Sequence, residues 1–387
     1  MYKILTLNNI SVKGLERLPR DHYEVASEMS QPDAVMVRSA NMHDMDLPES
    51  VKAVGRAGAG VNNIPIPRMS ERGIAVFNAP GANANAVKEL VVAGMLLAAR
   101  NICQAWDYTR NLDGDDQALH KQVEAGKKRY VGFELPGRTL GVVGLGAIGV
   151  QVANAARALG MNVIGFDPQI TVQRAWQLAS DVQQAVSVDD LFSRSDFITF
   201  HVPLVDATRN LVNHARLASM RDGVVLLNFA REGIIDDEAV IGALDSGKVH
   251  AYVCDFPSNR LKGHPKVVTL PHLGASTVEA EENCAVIVAD QLREYLENGN
   301  VRNSVNLPEV FLPRNGRARL CVINRNRPDM VGQISHVLGQ AGININHMVN
   351  ESRGELAYSL MDVESEIDGV TADAIAAIDG VLRVRVL

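Results

Sequence analysis

A glycine-rich segment near the middle of the chain, Gly144-Leu145-Gly146-Ala147-Ile148-Gly149, has the residue types and spacing to bind an anion. It follows the apolar run Leu140 to Val143 and precedes a stretch of helical periodicity that ends at Gly160. In this context the first glycine permits a tight turn, the second lets backbone approach a pyrophosphate, and the third lets helix and strand pack closely. The amides of the helix N-terminus would face the anion. A plain strand-to-helix turn is the ordinary alternative.

A carboxylate at the end of the next apolar run favours the nucleotide interpretation. Asp167 lies eighteen positions after Gly149, about where an acidic side chain accepts hydrogen bonds from an adenosine ribose. The same carboxylate would repel a 2'-phosphate, so the sequence favours NAD over NADP. We predict a dinucleotide site that includes Gly144, Gly146, Ala147, Ile148, Gly149, Asp167 and Pro168.

Alternating apolar runs and helical patterns provide the framework for this turn. Before residue 100, strands are predicted at residues 3–7, 34–37, 51–56 and 74–78, followed by a helix over 84–100. From residue 138 the alternation restarts, with strands predicted at 139–143, 162–167, 196–201, 223–228, 249–255 and 266–270. This alternation predicts an α/β fold with two doubly wound parallel-sheet domains, Rossmann-like or flavodoxin-like.

The last part of the chain has a different pattern. A helix predicted over 277–298 leads into residues 305–317, whose prolines and basic residues are typical of a linker. Beyond it, strands are predicted at 319–323, 343–349, 356–363 and 382–386, with helices at 330–340 and 372–378. The resulting order, strand, helix, strand, strand, helix, strand, is typical of the ferredoxin-like βαββαβ fold.

Composition excludes several classes of function. The chain has 387 residues, of which 47% are hydrophobic, enough for two or three separate cores. A net charge of -7 disfavours nucleic-acid or membrane-surface partners, which need a broad positive field. The four cysteines are far apart in sequence and predict neither disulfides nor a metal site. With no export signal or membrane-spanning run expected, the predicted location is the cytoplasm.

Two further segments carry a resemblance to a known family. Residues 228–233 read Asn-Phe-Ala-Arg-Glu-Gly and residues 271–277 read Pro-His-Leu-Gly-Ala-Ser-Thr, each after a predicted strand. With the glycine turn, they make nearly the whole chain resemble the D-isomer-specific 2-hydroxyacid dehydrogenases. The resemblance implies that Arg231 and His272 are catalytic. Taken alone, Arg231 is also consistent with a surface ion pair, and His272 with a hydrogen-bonded loop residue.

The chemistry of a 2-hydroxy acid explains why such an enzyme needs these residue types. Oxidation by a nicotinamide requires a base for the hydroxyl proton, which a neutral imidazole such as His272 supplies. A guanidinium such as Arg231 can bind the carboxylate and polarise the new carbonyl. The resemblance implies NAD-dependent oxidation of 3-phospho-D-glycerate to 3-phosphohydroxypyruvate, the first step of L-serine biosynthesis. A dehydrogenase of an unphosphorylated acid, such as glyoxylate or lactate, is an alternative.

The resemblance also assigns residues to the two ligands. It implies that the substrate carboxylate binds the glycine loop that follows the predicted strand 51–56. It also implies that the substrate phosphate binds the arginine that follows the predicted strand 34–37. These substrate residues are Arg38, Ser39, Gly58, Ala59, Gly60 and Asn62. The further cofactor residues are His201, Val202, Pro203, Thr208, Phe229, Ala230, Asp255, Gly274 and Ala275. Ordinary loop packing is the alternative for these residues.

One position departs from the family pattern. The family usually has a glutamate shortly after the position of Asp255, where it orients the histidine and stabilises its protonated form. Here Asn259 or Arg260 stands where that glutamate is expected. A cation near His272 would lower the pKa of the imidazole and weaken the base. The departure leaves a rival hypothesis, an NAD-sensing binding protein of the same fold with vestigial catalysis.

Residues 317–387 resemble an ACT domain, a small amino-acid-binding fold that pairs with a copy of itself. The resemblance implies that Asn324, Asn326 and Asn344 contact L-serine across a subunit interface, although asparagine is also favoured in turns. Asp329 stands where many relatives have glycine. We predict a substrate domain at 1–95 and 283–313, an NAD-binding domain at 96–282 and an ACT domain at 317–387. A homodimer or homotetramer is expected.

Overall fold

The computed structural model describes residues 1–387 and divides them into two compact units. Residues 1–83 and 278–387 form the first unit, and residues 84–277 form the second. The divisions fall at the beginnings of two long helices, whereas the limits predicted from the sequence, 95/96 and 282/283, lie inside those helices. None of the helices has both the length and the apolar character needed to cross a membrane.

The first unit begins with a five-stranded parallel sheet of order β2-β1-β3-β4-β5. Its central strands alternate between two apolar clusters, with Met36 in one and Val35 in the other. Strand β2 was not predicted, because this edge strand has only one fully buried residue. The elements are β1 (Tyr2–Leu7), α1 (Val12–Leu15), β2 (Tyr23–Ala26), β3 (Ala34–Val37), β4 (Ala53–Arg56), α2 (Ile66–Glu71) and β5 (Ala75–Asn78).

The second unit is built on a seven-stranded parallel sheet of order β12-β11-β10-β9-β6-β7-β8. Helices cover both faces, so Leu226 and Leu227 of β10 belong to opposite apolar clusters. The predicted parallel α/β architecture is confirmed. The elements are α3 (Ala84–Arg100), α4 (Ile102–Arg110), α5 (Asp116–Gly126), a 3-10 helix (Lys127–Tyr130), β6 (Thr139–Val143), α6 (Ala147–Ala158), β7 (Asn162–Phe166), α7 (Val172–Ala175), β8 (Gln183–Gln184), α8 (Val188–Arg194), β9 (Phe197–Phe200), α9 (His214–Ser219), β10 (Val224–Asn228), α10 (Asp237–Asp245), β11 (Val249–Cys254) and β12 (Val267–Thr269).

The chain then returns to the first unit and ends in a four-stranded antiparallel sheet of order β14-β15-β13-β16. Leu320 and Met361, on one face of this sheet, pack in a cluster with Ile334 of α12. Cys321 and Leu360, on the other face, belong to the same apolar cluster as α11. The elements are α11 (Val278–Asn298), β13 (Ala318–Arg325), α12 (Met330–Gln340), β14 (Ile345–Arg353), β15 (Leu356–Val363), α13 (Gly369–Ala376) and β16 (Val381–Val386).

Residues 304–306, which include the beginning of the predicted linker at 305–317, pack against the five-stranded sheet of the first unit. Ser304 and Asn306 are buried, and their side chains hydrogen-bond to the backbone of Val76 in edge strand β5. Val305 donates its amide to the carbonyl of Val76 at 2.7 Å. Prolines and polar residues make this segment resemble a linker. Its polar side chains instead hydrogen-bond to backbone groups at the open edge of the sheet.

Candidate active site

The glycine turn joins β6 to α6. Strand β6 lies between β7 and β9, where the strand order reverses, and this reversal is where open α/β sheets bind ligands. Gly144 has a φ of +90°, and a Cβ on Gly149 would lie 1.9 Å from the carbonyl oxygen of Gly144. A Cβ on Gly146 would meet no atom within 4 Å. The open side of Gly146 leaves room for an anion at the beginning of α6, whose first residues are Ala147 and Ile148.

Asp167 follows β7 and accepts hydrogen bonds from the amides of Leu145 and Gln169 at 2.8 and 2.9 Å. It lines a cavity of about 400 Å³ together with Leu145, Pro168, Ile170 and Leu178. That volume is within the range of small-ligand pockets. Apolar walls beside one carboxylate suit a nucleoside, whose base would pack on the walls while its ribose hydroxyls donate to Asp167. The residues at this edge therefore fit the predicted dinucleotide.

The loop after β9 approaches the glycine turn, because a Cβ on Gly144 would lie 2.5 Å from the carbonyl oxygen of His201. Burial lowers the pKa of His201 to about 3, so its imidazole is neutral. Thr208 closes this loop, which also contains Val202. Its hydroxyl accepts from the amide of Val205 and donates to the carbonyl of Pro203 at 2.6 Å.

Arg231 and His272 follow β10 and β12, the two strands that flank β11. Asn228 shapes the first loop, because its side chain donates to the carbonyl of Arg231 at 2.9 Å and accepts from the amide of Ala230 at 3.2 Å. Phe229 is buried, whereas Arg231 is exposed. His272 is also exposed, and its ring centroid lies 5.0 Å from that of Phe256.

Asp255 follows β11, between those two strands in the sheet. It is 1% exposed, and the backbone amides of Gly274 and Leu273 approach its carboxylate without making a well-formed hydrogen bond. A Cβ on Gly274, in the His272 loop, would lie 3.7 Å from Asp255 Oδ2. Burial raises the pKa of the Asp255 carboxyl, while His272 and the backbone amides of Gly274 and Leu273 act to lower it. A buried carboxylate thus lies within electrostatic reach of the imidazole.

Arg260, in the segment where the family's glutamate is missing, forms an ion pair with a carboxylate of this chain. The Arg260 guanidinium lies 3.6 Å from the Glu238 carboxylate of α10, and both side chains are largely exposed. Asn259 beside it is exposed as well. Because a carboxylate partly neutralises Arg260, its influence on any nearby imidazole is reduced.

The predicted substrate residues lie at the carboxyl edge of the first sheet. Arg38 follows β3 and the loop 57–62 follows β4, and these strands pair with Val37 opposite Arg56. The loop is fastened by Asn78, whose side chain donates to the carbonyl of Ala59 at 2.6 Å. Ser39 donates its amide to Asn8. Gly58, Gly60 and Asn62 belong to the same loop, so the structure brings this set together within the first unit.

The three asparagines predicted to bind an effector lie at two separate places in the C-terminal sheet of one chain. Asn324 and Asn326 lie at one end of β13, and Asn326 donates to the carbonyl of Gly354. Asn344 lies beside β14 and donates to Glu364. The strand register pairs Asn324 with Ala357, whereas β14 begins opposite Val363. Six residues of extended strand span about 20 Å, so one chain does not gather all three.

One charged residue beside the predicted substrate residues was not identified from the sequence. Glu281, in the first turn of α11, pairs with Arg38 at 2.5 Å. The first turn of this helix contains other acidic residues, as helix N-termini commonly do. Nothing in the sequence therefore set Glu281 apart.

The chain is similar to known proteins of one family. Residues 92–274 match the family described as D-isomer specific 2-hydroxyacid dehydrogenase, NAD binding domain. The chain is 36% identical to D-3-phosphoglycerate dehydrogenase of Methanocaldococcus jannaschii over 88% of its length and 63% of the relative's. It is 34% identical to D-3-phosphoglycerate dehydrogenase of Haemophilus influenzae over 87% of its length and 81% of the relative's.

A solved structure is similar as well. The NAD⁺-bound 3-phosphoglycerate dehydrogenase of Entamoeba histolytica superposes with a TM-score of 0.60 and 26% identity, over 80% of this chain and 99% of that one. The chain spans less than two thirds of the length of some relatives, with 63% covered in the Methanocaldococcus protein.

Proposed function

Because this chain belongs to the D-isomer-specific 2-hydroxyacid dehydrogenases, we propose that it oxidises 3-phospho-D-glycerate to 3-phosphohydroxypyruvate with NAD. The single observation that carries this proposal is the arrangement of Arg231, Asp255 and His272. They follow three adjacent parallel strands of the sheet that also carries the glycine turn. The relatives named as phosphoglycerate dehydrogenases support the choice of substrate.

We propose that the side chains at this edge divide the chemistry. When bound, NAD supplies the acceptor for the hydride that leaves C2 of the hydroxy acid. An imidazole nitrogen of His272 takes the hydroxyl proton as the C2–O bond becomes a carbonyl. Arg231 holds the neighbouring carboxylate and polarises the new carbonyl. The nearby Asp255 carboxylate favours the protonated imidazole that results.

Turnover of purified protein tests this function. With NADH and phosphohydroxypyruvate over a broad pH range, we expect NADH oxidation, measured by its absorbance. His272→Asn should reduce kcat by about 10²–10⁴-fold, the usual contribution of a general base, with little change in NADH affinity. Absence of turnover at every pH, with NADH still bound, would instead favour the NAD-sensing protein with vestigial catalysis.

We propose in addition that residues 317–387 form an ACT domain that binds L-serine between two copies of the chain, in a homodimer or homotetramer. The separation of Asn344 from Asn324 and Asn326 supports a shared site.

Exposed apolar residues of the second unit, Ile102 and Trp106, support self-pairing through the NAD domain. Four cysteines without disulfides are consistent with the cytoplasm. Light scattering tests the oligomer, and inhibition by added L-serine tests the effector.

A further inference from the structure

Arg38, which the family resemblance assigns to the substrate phosphate, is already paired with an acid of this chain. Its Nη2 lies 2.5 Å from Oε1 of Glu281, and the two side chains are 38% and 40% exposed. Both residues belong to the first unit. Because the contact joins a guanidinium and a carboxylate at close range, it is a charge-assisted hydrogen bond. An anion that binds Arg38 therefore meets a site whose charge is partly cancelled.

The surrounding groups show that Glu281 is part of the same electrostatic environment as the substrate loops. Arg56 donates from Nε to the carbonyl of Arg38 at 3.1 Å. The thiol of Cys284, one turn beyond Glu281, is buried, and burial raises its pKa. Arg56 and Arg38 lower the pKa of that thiol, and Glu281 raises it. Two cations and one anion thus lie within electrostatic reach of a single buried group.

We propose that Glu281 is an internal counter-ion that competes with the phosphate of the substrate for Arg38, and so sets the affinity for phosphorylated substrates. The proposal rests on the function proposed above. A phosphate dianion beside Arg38 is repelled by the Glu281 carboxylate and gains less from the guanidinium that the carboxylate already binds. Product release benefits from the same competition, because Glu281 re-forms its pair as the phosphate leaves.

The competing role differs from a positioning role in one measurable respect. If Glu281 only held Arg38 in place, an amide oxygen at the same position would hold it nearly as well. If the negative charge competes with the phosphate, removing the charge while keeping the acceptor strengthens substrate binding. Glu281→Gln makes that change. Glu282 provides a matched control, because it lies one position further and pairs at 2.6 Å with Lys13 instead.

The experiment compares wild type, Glu281→Gln and Glu282→Gln in NADH-dependent reduction of phosphohydroxypyruvate and hydroxypyruvate. For Glu281→Gln we expect KM for phosphohydroxypyruvate to fall by about two- to fivefold, the factor that an exposed ion pair is worth. KM for NADH and hydroxypyruvate should stay unchanged, and Glu282→Gln should match wild type throughout. Arg38→Ala should raise KM for phosphohydroxypyruvate alone.

Calorimetric titration with 3-phosphoglycerate provides a readout that does not depend on turnover. Tighter binding to Glu281→Gln than to wild type supports the counter-ion. Unchanged or weaker binding to Glu281→Gln, or an equal gain in Glu282→Gln, overturns it. If wild type binds 3-phosphoglycerate but shows no turnover, the proposed function fails. The counter-ion is then still tested by comparing the affinities of Glu281→Gln and wild type for 3-phosphoglycerate. If wild type does not bind 3-phosphoglycerate, both proposals fail.

Discussion

Asp255 combines two properties that conflict with each other at the scale of a single residue. It is buried without a well-formed hydrogen bond, which costs stability when the group is charged. It also lies within electrostatic reach of His272, where a negative charge helps an imidazole to hold a proton. Functional sites commonly retain such a destabilising group because the chemistry requires it.

We predict that Asp255→Asn is more stable and less active than wild type. Burial raises the pKa of Asp255 above its ordinary value of 3.8, so this carboxyl stabilises the fold only while protonated. That contribution is lost as the pH rises from 3.8 through the raised pKa. At neutral pH the amide should add about 0.5–2 kcal/mol to the free energy of unfolding and lower kcat by about 10²-fold.

Thermal unfolding and pH-rate profiles measure both effects. The stability gain over wild type should shrink as the pH falls toward 4. Asp189→Asn, which removes a carboxylate from an exposed ion pair with Arg216, should change neither the melting temperature nor kcat appreciably. A lower melting temperature for Asp255→Asn at pH 7 would contradict the prediction.

At the scale of the element, different glycines of the turn between β6 and α6 serve packing and ligand binding. The third glycine packs against the backbone of the first, whereas the second faces open space. The same change at the two positions should therefore have different consequences.

We predict that Gly149→Ala destabilises the protein while Gly146→Ala removes NAD binding without loss of stability. A Cβ at Gly149 would lie 1.9 Å from a backbone oxygen that cannot move aside, and overpacking of this kind costs about 1–3 kcal/mol or more. A methyl group at Gly146 meets no protein atom but would obstruct a pyrophosphate. Melting temperatures and NADH fluorescence titrations measure the two effects, and equal melting losses would contradict the distinction.

The elements also show what a sequence can specify. The helices 84–100 and 330–340 and the strand 34–37 were predicted at their observed limits, because their apolar periodicity is uninterrupted. The short edge strands β2 and β8 were missed, because few of their residues are buried. Packing of Ser304 and Asn306 on β5 was missed as well, since polar side chains that bond to a sheet edge look like loop residues.

The candidate site was predictable where motifs are local and unpredictable where partners are distant in sequence. The glycine turn and Asp167 follow from strand and helix geometry within one βαβ unit. The pair Arg38–Glu281 joins residues 243 positions apart, and nothing local indicates it. The position of Asp255 beside His272 likewise depends on which strands are neighbours in the sheet.

For the whole molecule, the C-terminal sheet is attached to α11 rather than joined by a free linker. Tyr358 donates to the carbonyl of Gly299 at 2.6 Å, and Arg385 donates to the carbonyls of Tyr295 and Leu296. These carbonyls lie at the C-terminus of α11 or just beyond it, where few carbonyls have a backbone donor within the helix. Because the C-terminal sheet shares one apolar cluster with α11 and the five-stranded sheet of the first unit, we expect residues 317–387 to unfold together with that sheet.

A buried ion pair joins two neighbouring strands of the C-terminal sheet, and its arginine also reaches the last residue of α11. Arg319 and Asp362 are fully buried, with Nε–Oδ1 and Nη2–Oδ2 distances of 2.6 and 2.8 Å. Arg319 also donates to the carbonyls of Asn298 and Leu312. Burial alone would raise the pKa of Asp362, but hydrogen bonds from Arg319 and the Asn315 amide lower it overall. The stabilisation is therefore present above pH 3.8 and lost as the pH falls below it.

We predict that Asp362→Ala lowers the free energy of unfolding by about 3–5 kcal/mol, because it leaves a buried guanidinium without its counter-ion. Asp290→Ala breaks an ion pair with Arg17 whose side chains are 42% and 50% exposed, and should cost at most about 1 kcal/mol. The double variant Arg319→Met, Asp362→Leu should recover much of the loss, because an apolar pair can replace a buried ion pair. Urea unfolding at pH 7 measures all three, and a loss in Asp362→Ala no larger than in Asp290→Ala would show that the pair does not stabilise the C-terminal sheet.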